Sequence, residues 1–198
     1  MTARFDHLAI ACEDLAEGAA ALEAALGVAL APGGRHAAFG THNRLLSLGP
    51  GEYLEVIAAD PDADPPPRPR WFDLDRFTGA PRLVTWVARV PDLSAVAAGG
   101  RDQVLDLSRG AYRWRMAGRS DGRLIAGGAA PPLIEWQGAH PADALPDAGC
   151  RLTRLVLRHP DPATRAALTG QDDPRVTVAP GLPGLAACLA TPAGEVWL

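Results

Sequence analysis

One order of short segments occurs twice along this chain, and such a repeat restricts the folds that the chain can adopt. In the first copy, residues from Phe5 to Cys12 alternate between two faces, which at a period of two predicts a strand. Asp14 then caps a predicted helix over Leu15–Leu26, which Gly27 ends. Three predicted strands follow, near residues 35–40, 43–48 and 53–58. The unit is β-α-β-β-β.

The second copy follows a proline-rich stretch at 60–69, which we interpret as a linker because proline excludes helix interiors and central strands. The pair Asp14-Leu15 recurs 78 residues later as Asp92-Leu93, and Leu54-Glu55-Val56 recurs 80 residues later as Ile134-Glu135-Trp136. The second copy therefore predicts strands at 83–90, near 104–107, 112–117 and 133–137, with a short helix at 93–99.

A shorter third copy begins near residue 152, with a predicted strand, a helix at 162–168, a strand at 175–178 and a closing hairpin. Leu198 occupies the position that Glu55 holds in the first copy, so the third copy is predicted to be structural. One hypothesis is that it pairs two protomers into a homodimer. We expect a single domain over residues 1–198, with modules at about 4–60, 81–138 and 150–198.

Charge and composition exclude several classes of protein. The chain has 198 residues and a net charge of -4, with no basic stripe for a row of phosphates, so a nucleic-acid partner is not expected. No apolar run is long enough to cross a membrane, and the first residues lack the core of a signal peptide. We therefore expect a cytoplasmic protein with no membrane partner. The sequence contains no Walker motif and no Gly-x-Gly-x-x-Gly motif.

Three side chains predict a site for chemistry. His7 shares its face with Phe5 and Ala9, and this face is predicted to point away from the helix layer. Glu55 shares a face with Tyr53 and Ile57, and Glu135 shares one with Leu133 and Gln137. A buried carboxylate is costly without a partner, so a glutamate at the same place in two copies indicates a function.

The alternatives are structural. Glu55 and Glu135 are equally consistent with ion pairs to arginines such as Arg44 and Arg115, and His7 with a hydrogen-bonded core histidine. Of His42 and Asn43 only one can face a cavity, and we favour Asn43 as an amide that holds a substrate oxygen. His140 and His159 each precede proline and are interpreted as loop residues.

The segments Phe5-Asp6-His7-Leu8, Gly40-Thr41-His42-Asn43, Tyr53-Leu54-Glu55 and Pro132-Leu133-Ile134-Glu135-Trp136, with His140-Pro141, give the chain a family resemblance. In their order and repetition they resemble the glyoxalase-like domain family of the vicinal-oxygen-chelate superfamily. The resemblance implies an α+β fold in which β-α-β-β-β modules form a half-open barrel. It also implies an enzyme, of the lyase, isomerase or dioxygenase class, acting on a small molecule with neighbouring oxygens.

Carried onto this sequence, the resemblance implies a divalent metal, Zn, Mn, Fe or Ni, held by His7, Glu55 and Glu135, with one glutamate also serving as a catalytic base. The fourth ligand position falls on Thr85, a poor metal ligand where the superfamily pattern has histidine. This departure favours the alternative, a metal-free protein that binds or sequesters a small ligand, resembling bleomycin-resistance proteins.

Aromatic and guanidinium side chains outside the repeated motifs are candidates for contacts with a small-molecule ligand. Such groups stack on planar ligands and hydrogen-bond anionic ones. Together with the amide of Asn43, the predicted substrate-binding residues are Trp71, Phe72, Arg109 and Trp114.

Overall fold

Two β-sheets form the framework of the computed structural model, which describes residues 3–95, 100–169 and 172–198. The larger sheet has eight strands in the order β2-β3-β4-β1-β5-β8-β7-β6 and curls into a half-barrel. Its strands are β1 (Arg4–Ala11), β2 (Ala31–His36), β3 (Thr41–Gly49), β4 (Glu52–Ala59), β5 (Arg82–Arg89), β6 (Gln103–Arg109), β7 (Tyr112–Gly118) and β8 (Leu133–Trp136).

The half-barrel consists of two similar four-stranded halves. β1 and β5 lie side by side at the centre and run antiparallel, and each has a parallel partner on its outer side, β4 for β1 and β8 for β5. The edge strands β2 and β6 contact each other where the barrel opens. The two predicted β-α-β-β-β modules are therefore confirmed in the order of their strands, apart from the helix of the second.

The helix of the first module, α1 (Leu15–Leu26), forms as predicted. The Asp14 carboxylate accepts a hydrogen bond from the Glu17 backbone N–H, and Gly27 ends the helix at a φ of 71°, which glycine adopts without strain. In the second module only a 3₁₀ turn at Leu93–Ala95 stands at that place, and residues 96–99 of the predicted helix lie outside the described residues.

The third copy has the predicted element order but pairs its strands differently. It contains β9 (Arg151–Arg158), α2 (Pro162–Leu168), β10 (Val176–Ala179), β11 (Gly184–Thr191) and β12 (Gly194–Trp197), in the sheet order β10-β9-β11-β12. β9 lies between β10 and β11, whereas the first strand of the first module pairs with its last. The smaller sheet packs on the outer face of the half-barrel, and one apolar cluster includes both.

The two faces of the larger sheet bury different residues. The outer face packs against α1 and the smaller sheet through residues such as Leu8, Ile10 and Trp86. The inner, concave face carries a second cluster that includes Ala9, Ile57 and the aromatic residues Phe72 and Trp114. Polar side chains on the inner face are therefore enclosed by the barrel. No helix within the described ranges has the length and apolar character needed to span a bilayer.

Candidate functional site

An irregularity in β1 turns two consecutive polar residues into the barrel. The pairing of β1 with β5 shifts register between Phe5 and His7, as in a β-bulge. Asp6 and His7 are both buried, at 0% and 3% exposure, and bond to each other, while Phe5 packs in the outer cluster near Trp86. The inward direction of His7 is confirmed, but the prediction that Phe5 shares its face is wrong because the bulge interrupts the alternation.

Asp6 is the centre of a buried hydrogen-bonded group. Its Oδ1 accepts from His7 Nδ1 at 2.7 Å, and its Oδ2 accepts from Trp136 Nε1 and His140 Nε2, each at 3.0 Å. Burial alone would raise the pKa of Asp6, but the hydrogen bonds from His140 and His7 bring this pKa well below its usual range. Asp6 is therefore a carboxylate at neutral pH.

The partners of Asp6 determine which ring nitrogens carry protons. His140 Nδ1 accepts a hydrogen bond from the Ala142 backbone N–H at 3.2 Å, so a neutral His140 carries its proton on Nε2 and donates it to Asp6. His7 likewise donates from Nδ1 to the acceptor-only carboxylate. The His7 ring stacks on Tyr53 with 4.3 Å between centroids. The free nitrogen of His7, Nε2, consequently faces the interior of the barrel.

Glu55 lies opposite that nitrogen, on β4. Its Oε2 is 3.7 Å from His7 Nε2, and its Oε1 accepts a hydrogen bond from Asn43 Nδ2 at 2.5 Å. Tyr53, Glu55 and Ile57 share the inner face, as predicted. The alternative pairing of Glu55 with Arg44 does not occur, since Arg44 is exposed on the other face of β3. His7 and Glu55 thus form a buried pair that spans two strands.

Asn43 continues the hydrogen-bonded chain toward the barrel opening, which confirms its inward direction. Its Oδ1 accepts from the Gly34 backbone N–H at 2.7 Å and from the Arg109 guanidinium at 3.0 Å. The same guanidinium nitrogen lies 3.3 Å from His36 Nε2, and His36 Nδ1 is 3.1 Å from the Thr41 hydroxyl. Because a guanidinium only donates, Nε2 of His36 accepts and Nδ1 carries the proton.

His36 is held in its neutral form. Burial lowers the pKa of its imidazole from 6.5 to about 4, and the positive charge of Arg109 acts in the same direction, against the opposing effect of Glu55. The ring packs edge-on against Trp71 and Trp114, with centroid distances of 5.1 and 6.3 Å. Protonation of His36 would therefore place a cation among aromatic side chains and beside an arginine.

This pKa shift predicts a loss of stability in mild acid. The folded pKa lies below that of the unfolded chain, so the stabilisation is fully present above about pH 6.5 and is lost as the pH falls toward about 4. The full loss amounts to about 3 kcal/mol. We expect the free energy of unfolding, measured by urea denaturation, to fall more steeply with decreasing pH in the wild type than in His36→Asn between about pH 6.5 and 4.5. The difference in slope corresponds to the uptake of up to one proton. Equal slopes for the wild type and His36→Asn would contradict the assignment.

The predicted ligand-contacting residues line one small cavity around His7 and Glu55. Its volume is about 30 Å³, enough for a small reacting group. Phe72 and Asp73 have positive φ angles of 57° and 60° in the 3₁₀ segment Trp71–Arg76, an unfavourable backbone for residues other than glycine. The predicted binding residues on the cavity wall are Asn43, Trp71, Phe72, Arg109 and Trp114, and their roles as binding residues stay a prediction.

Glu135 does not join this cavity, and the prediction that it shares a hollow with His7 and Glu55 is wrong. On β8 it is Ile134 and Trp136 that point inward. Glu135 lies on the outer face, where it accepts from the Leu93 backbone N–H at 2.8 Å and pairs with Arg115 at 3.3 Å. The structural alternative for Glu135 is therefore confirmed. Side chains alternate between the two faces of a strand, so the inward positions of β8 are Ile134 and Trp136, one residue to either side of Glu135.

The side chains present do not fit the implied metal. The described residues contain no group of three or more His, Cys, Asp or Glu side chains placed to hold an ion. His7 offers only Nε2, since Nδ1 is bound to Asp6, and Glu135 is on the outer face. Thr85 is buried, and its hydroxyl donates to the Trp86 or Gly128 carbonyl oxygen, at 3.2 and 3.3 Å. The predicted ligand set of His7, Glu55 and Glu135 is thus not assembled.

Several residues of the site were missed by the sequence interpretation: Asp6, His36, Tyr53, Trp136 and His140. For His140 a signal exists, because a polar residue before Pro141 is typical of a helix cap, and His140 caps the 3₁₀ turn Pro141–Ala144. The inward direction of Asp6 has no comparable signal, since it depends on the bulge.

Comparisons with known proteins agree with this architecture. A family model described as a glyoxalase-like domain matches residues 5–171. No curated protein matches the chain. A solved structure of a hypothetical protein from Staphylococcus aureus is 11% identical and superposes with a TM-score of 0.58, covering 92% of this chain and 88% of that chain. It supports the fold.

Two solved enzymes superpose less well. A methylmalonyl-CoA epimerase variant from Streptomyces coelicolor, in complex with 2-nitronate-propionyl-CoA, is 18% identical with a TM-score of 0.47, covering 70% of this chain and 100% of that chain. A 2,2',3-trihydroxybiphenyl 1,2-dioxygenase from Sphingomonas wittichii is 16% identical with a TM-score of 0.40, covering 84% and 55%. Since the family model matches most of the chain, residues 5–171, the chain belongs to the glyoxalase-like domain family.

Proposed function

We propose that this chain is an enzyme of the isomerase or lyase class that moves a proton on a small, oxygen-bearing substrate, with His7 and Glu55 as its acid–base pair. One observation carries the proposal: His7 Nε2 and Glu55 Oε2 face each other at 3.7 Å on the wall of a single cavity. The other polar atom of each side chain is held by a buried neighbour, Asp6 for His7 and Asn43 for Glu55. Both groups are therefore oriented before a substrate arrives.

The arrangement supports a simple proton transfer. With Nδ1 of His7 donating to Asp6, the lone pair on Nε2 is free to take a proton from a carbon next to a carbonyl group. The resulting imidazolium lies between two carboxylates, Asp6 and Glu55, which stabilise its charge. Return of the same proton to a neighbouring carbon or oxygen gives an isomer, and no electrons leave the substrate. The residues present support this route without a metal ion.

Solvent exchange tests the proposal directly. We expect the protein to exchange the α-hydrogen of members of a panel of 2-hydroxy ketones and 2-oxo acids with deuterium from D₂O, as followed by proton NMR. His7→Gln should slow exchange by about 10²–10⁴-fold, because the amide does not accept the proton. Glu55→Gln should also slow it, because the carboxylate that faces the imidazolium is lost. Glu135→Gln is the matched control and should stay within about twofold, since this glutamate lies outside the cavity.

Three results would contradict the proposal: no exchange on any member of the panel, an equal loss in Glu135→Gln, or unchanged exchange in both His7→Gln and Glu55→Gln. The metal requirement is tested separately. Elemental analysis of protein purified without a chelating tag should show no metal at one ion per chain. Such an ion, lost in His7→Ala, would restore the metal-dependent hypothesis, with Zn, Mn, Fe or Ni as the candidates.

A second candidate is the metal-free binding protein, favoured by the aromatic walls of the cavity. Trp71 stacks on Phe39 and on Phe72, with centroid distances of 4.1 and 5.4 Å, and Trp114 lies 5.5 Å from Trp136. A thermal-shift screen distinguishes the two candidates, since stabilisation by a ligand that the protein never converts supports the binding protein. The homodimer and the cytoplasmic location stay predictions.

A further inference from the structure

We propose that Arg109 selects the substrate, which is a small-molecule carboxylate whose apolar part lies in a cleft outside the catalytic cavity. This inference rests on the proposed function for the location of the chemistry, but it concerns recognition and is tested by binding. It starts from the position of Arg109 at the end of β6, from where the side chain crosses the barrel opening to β2 and β3.

The charge of Arg109 has only neutral partners. One guanidinium nitrogen donates to Asn43 Oδ1 at 3.0 Å and to His36 Nε2 at 3.3 Å, and His36 is neutral. In the part of the chain that the structure describes, no carboxylate forms an ion pair with Arg109, whereas the half-buried Arg115 and Arg175 each have one or more. An unpaired guanidinium at the edge of a cavity is a binding site for an anion, and its planar fork matches a carboxylate.

The path of the Arg109 side chain is built into β2. A Cβ atom added to Gly34 would lie 2.8 Å from Arg109 Cδ, so the absence of a side chain there leaves room for the arginine stem. The guanidinium carbon also lies 5.7 Å from the centre of the Tyr112 ring. Two neighbouring strands thus hold the positive charge at the barrel opening.

Arg109 separates two spaces of different size. The inner cavity, about 30 Å³, has room for the reacting group but not for a whole metabolite. The outer cleft, about 560 Å³, lies between β2, the turn after β6 and the Pro141–Ala144 segment, and Arg109 borders both spaces. Among the described residues of the cleft wall, Arg109 alone is charged, and apolar side chains such as Leu30, Leu45 and Leu145 dominate. The lining therefore fits an anionic group at Arg109 and an apolar chain beyond it.

Binding of three probes tests the assignment. The probes are 2-oxooctanoate, its uncharged counterpart 2-octanone, and the short anion pyruvate, each titrated against the tryptophan fluorescence of the full chain. We expect 2-oxooctanoate to bind at least tenfold more tightly than the other two. Arg109→Gln should lower the affinity for 2-oxooctanoate at least tenfold and change the affinity for 2-octanone less than twofold. The affinity of Arg109→Lys for 2-oxooctanoate should lie between those of the wild type and Arg109→Gln. Arg113→Gln, which removes an exposed guanidinium from the neighbouring strand β7, is the matched control and should change neither affinity.

A second variant keeps the charge and moves it. Gly34→Ala should lower the affinity for 2-oxooctanoate severalfold, because the new methyl group displaces the aliphatic part of the Arg109 side chain. This variant retains a test if Arg109→Gln fails to fold, which circular dichroism would show. Equal affinity of Arg109→Gln and the wild type for 2-oxooctanoate, an equal loss in Arg113→Gln, or no carboxylate binding to the wild type would overturn the inference. If proton exchange persists in any of these cases, the inference about Arg109 fails and the proposed function stands. If the carboxylate binds through Arg109 but no exchange occurs, the proposed function fails and the inference about Arg109 stands.

Discussion

Replacement of Asp6 by alanine is expected to lower the free energy of unfolding by about 3–5 kcal/mol, the range for breaking a buried charged group. The substitution removes the acceptor for three donors, on His7, Trp136 and His140, and also the carboxylate that lies 3.7 Å from Arg89. The donors on His7 and His140 would stay buried without a partner, which adds their desolvation cost. Urea denaturation near pH 7 measures the difference from the wild type.

The control and the pH dependence identify the cause. Asp147→Ala breaks an exposed pair with Arg151 and should cost far less stability than Asp6→Ala, because solvent screens an exposed ion pair. The pKa of Asp6 is lower in the folded protein than in the unfolded chain, so its contribution is present above about pH 4 and is lost as the pH falls further. A destabilisation of Asp6→Ala no larger than that of Asp147→Ala would refute the role of Asp6 as the centre of the buried group.

Asp6→Asn separates stability from chemistry. The asparagine oxygen can still accept from Trp136 and His140, which places its amide nitrogen against His7 Nδ1. His7 then accepts at Nδ1 and carries its proton on Nε2, so the nitrogen that faces Glu55 is no longer a base. We expect this variant to lose less stability than Asp6→Ala but to slow proton exchange with little change in KM, as a positioning residue should.

Trp86→Ala is expected to destabilise the protein by about 3–5 kcal/mol, the cost of removing a large buried aromatic side chain. Trp86 is 0% exposed, its Nε1 donates to the Ala129 carbonyl at 3.0 Å, and its ring is stacked with Phe5 at 6.3 Å. It belongs to the apolar cluster that joins the half-barrel to the smaller sheet. The substitution therefore leaves a cavity between the two sheets, which urea denaturation reports.

Trp197→Ala is the matched control, because this tryptophan on β12 is 51% exposed. We expect it to cost less than about 1 kcal/mol. Similar losses for the two tryptophans would show that the junction between the sheets contributes little to stability, and the smaller sheet would then be an independent unit.

Much of the fold follows from local patterns. Strand alternation and the helix-capping residues Asp14 and Gly27 act over a few residues, so these elements can be predicted without tertiary information. Alternation, with the apolar face of β1 packed toward the helix layer, correctly turns His7 inward. Asn43 was favoured over His42 for its amide and Glu55 was singled out as a buried carboxylate, and both also face the cavity. The aromatic and guanidinium residues at 71, 72, 109 and 114 were chosen by their chemistry, and the fold brings them to one cavity.

Other features depend on register, which no local pattern specifies. Alternation shows that Glu135 and Trp136 face opposite ways but not which of them faces inward, and the pairing of β8 with β7 places Glu135 outside. The inward direction of Asp6 arises from a register shift between two strands that lie about 78 residues apart in sequence. The partners of His36 and His140 come from distant segments in the same way.

The amino-acid sequence by itself determined the repeated modules, their strands and their helix caps, because these depend on near neighbours in the chain. It also singled out His7 and Glu55, but their contact joins two strands that lie far apart in sequence. Only the tertiary structure decided that Asp6 orients His7, that Glu135 pairs with Arg115 and that, within residues 3–95, 100–169 and 172–198, no third ligand joins the cavity. Strand pairing made those decisions, since a shift of one residue exchanges the inside of the barrel for its outside.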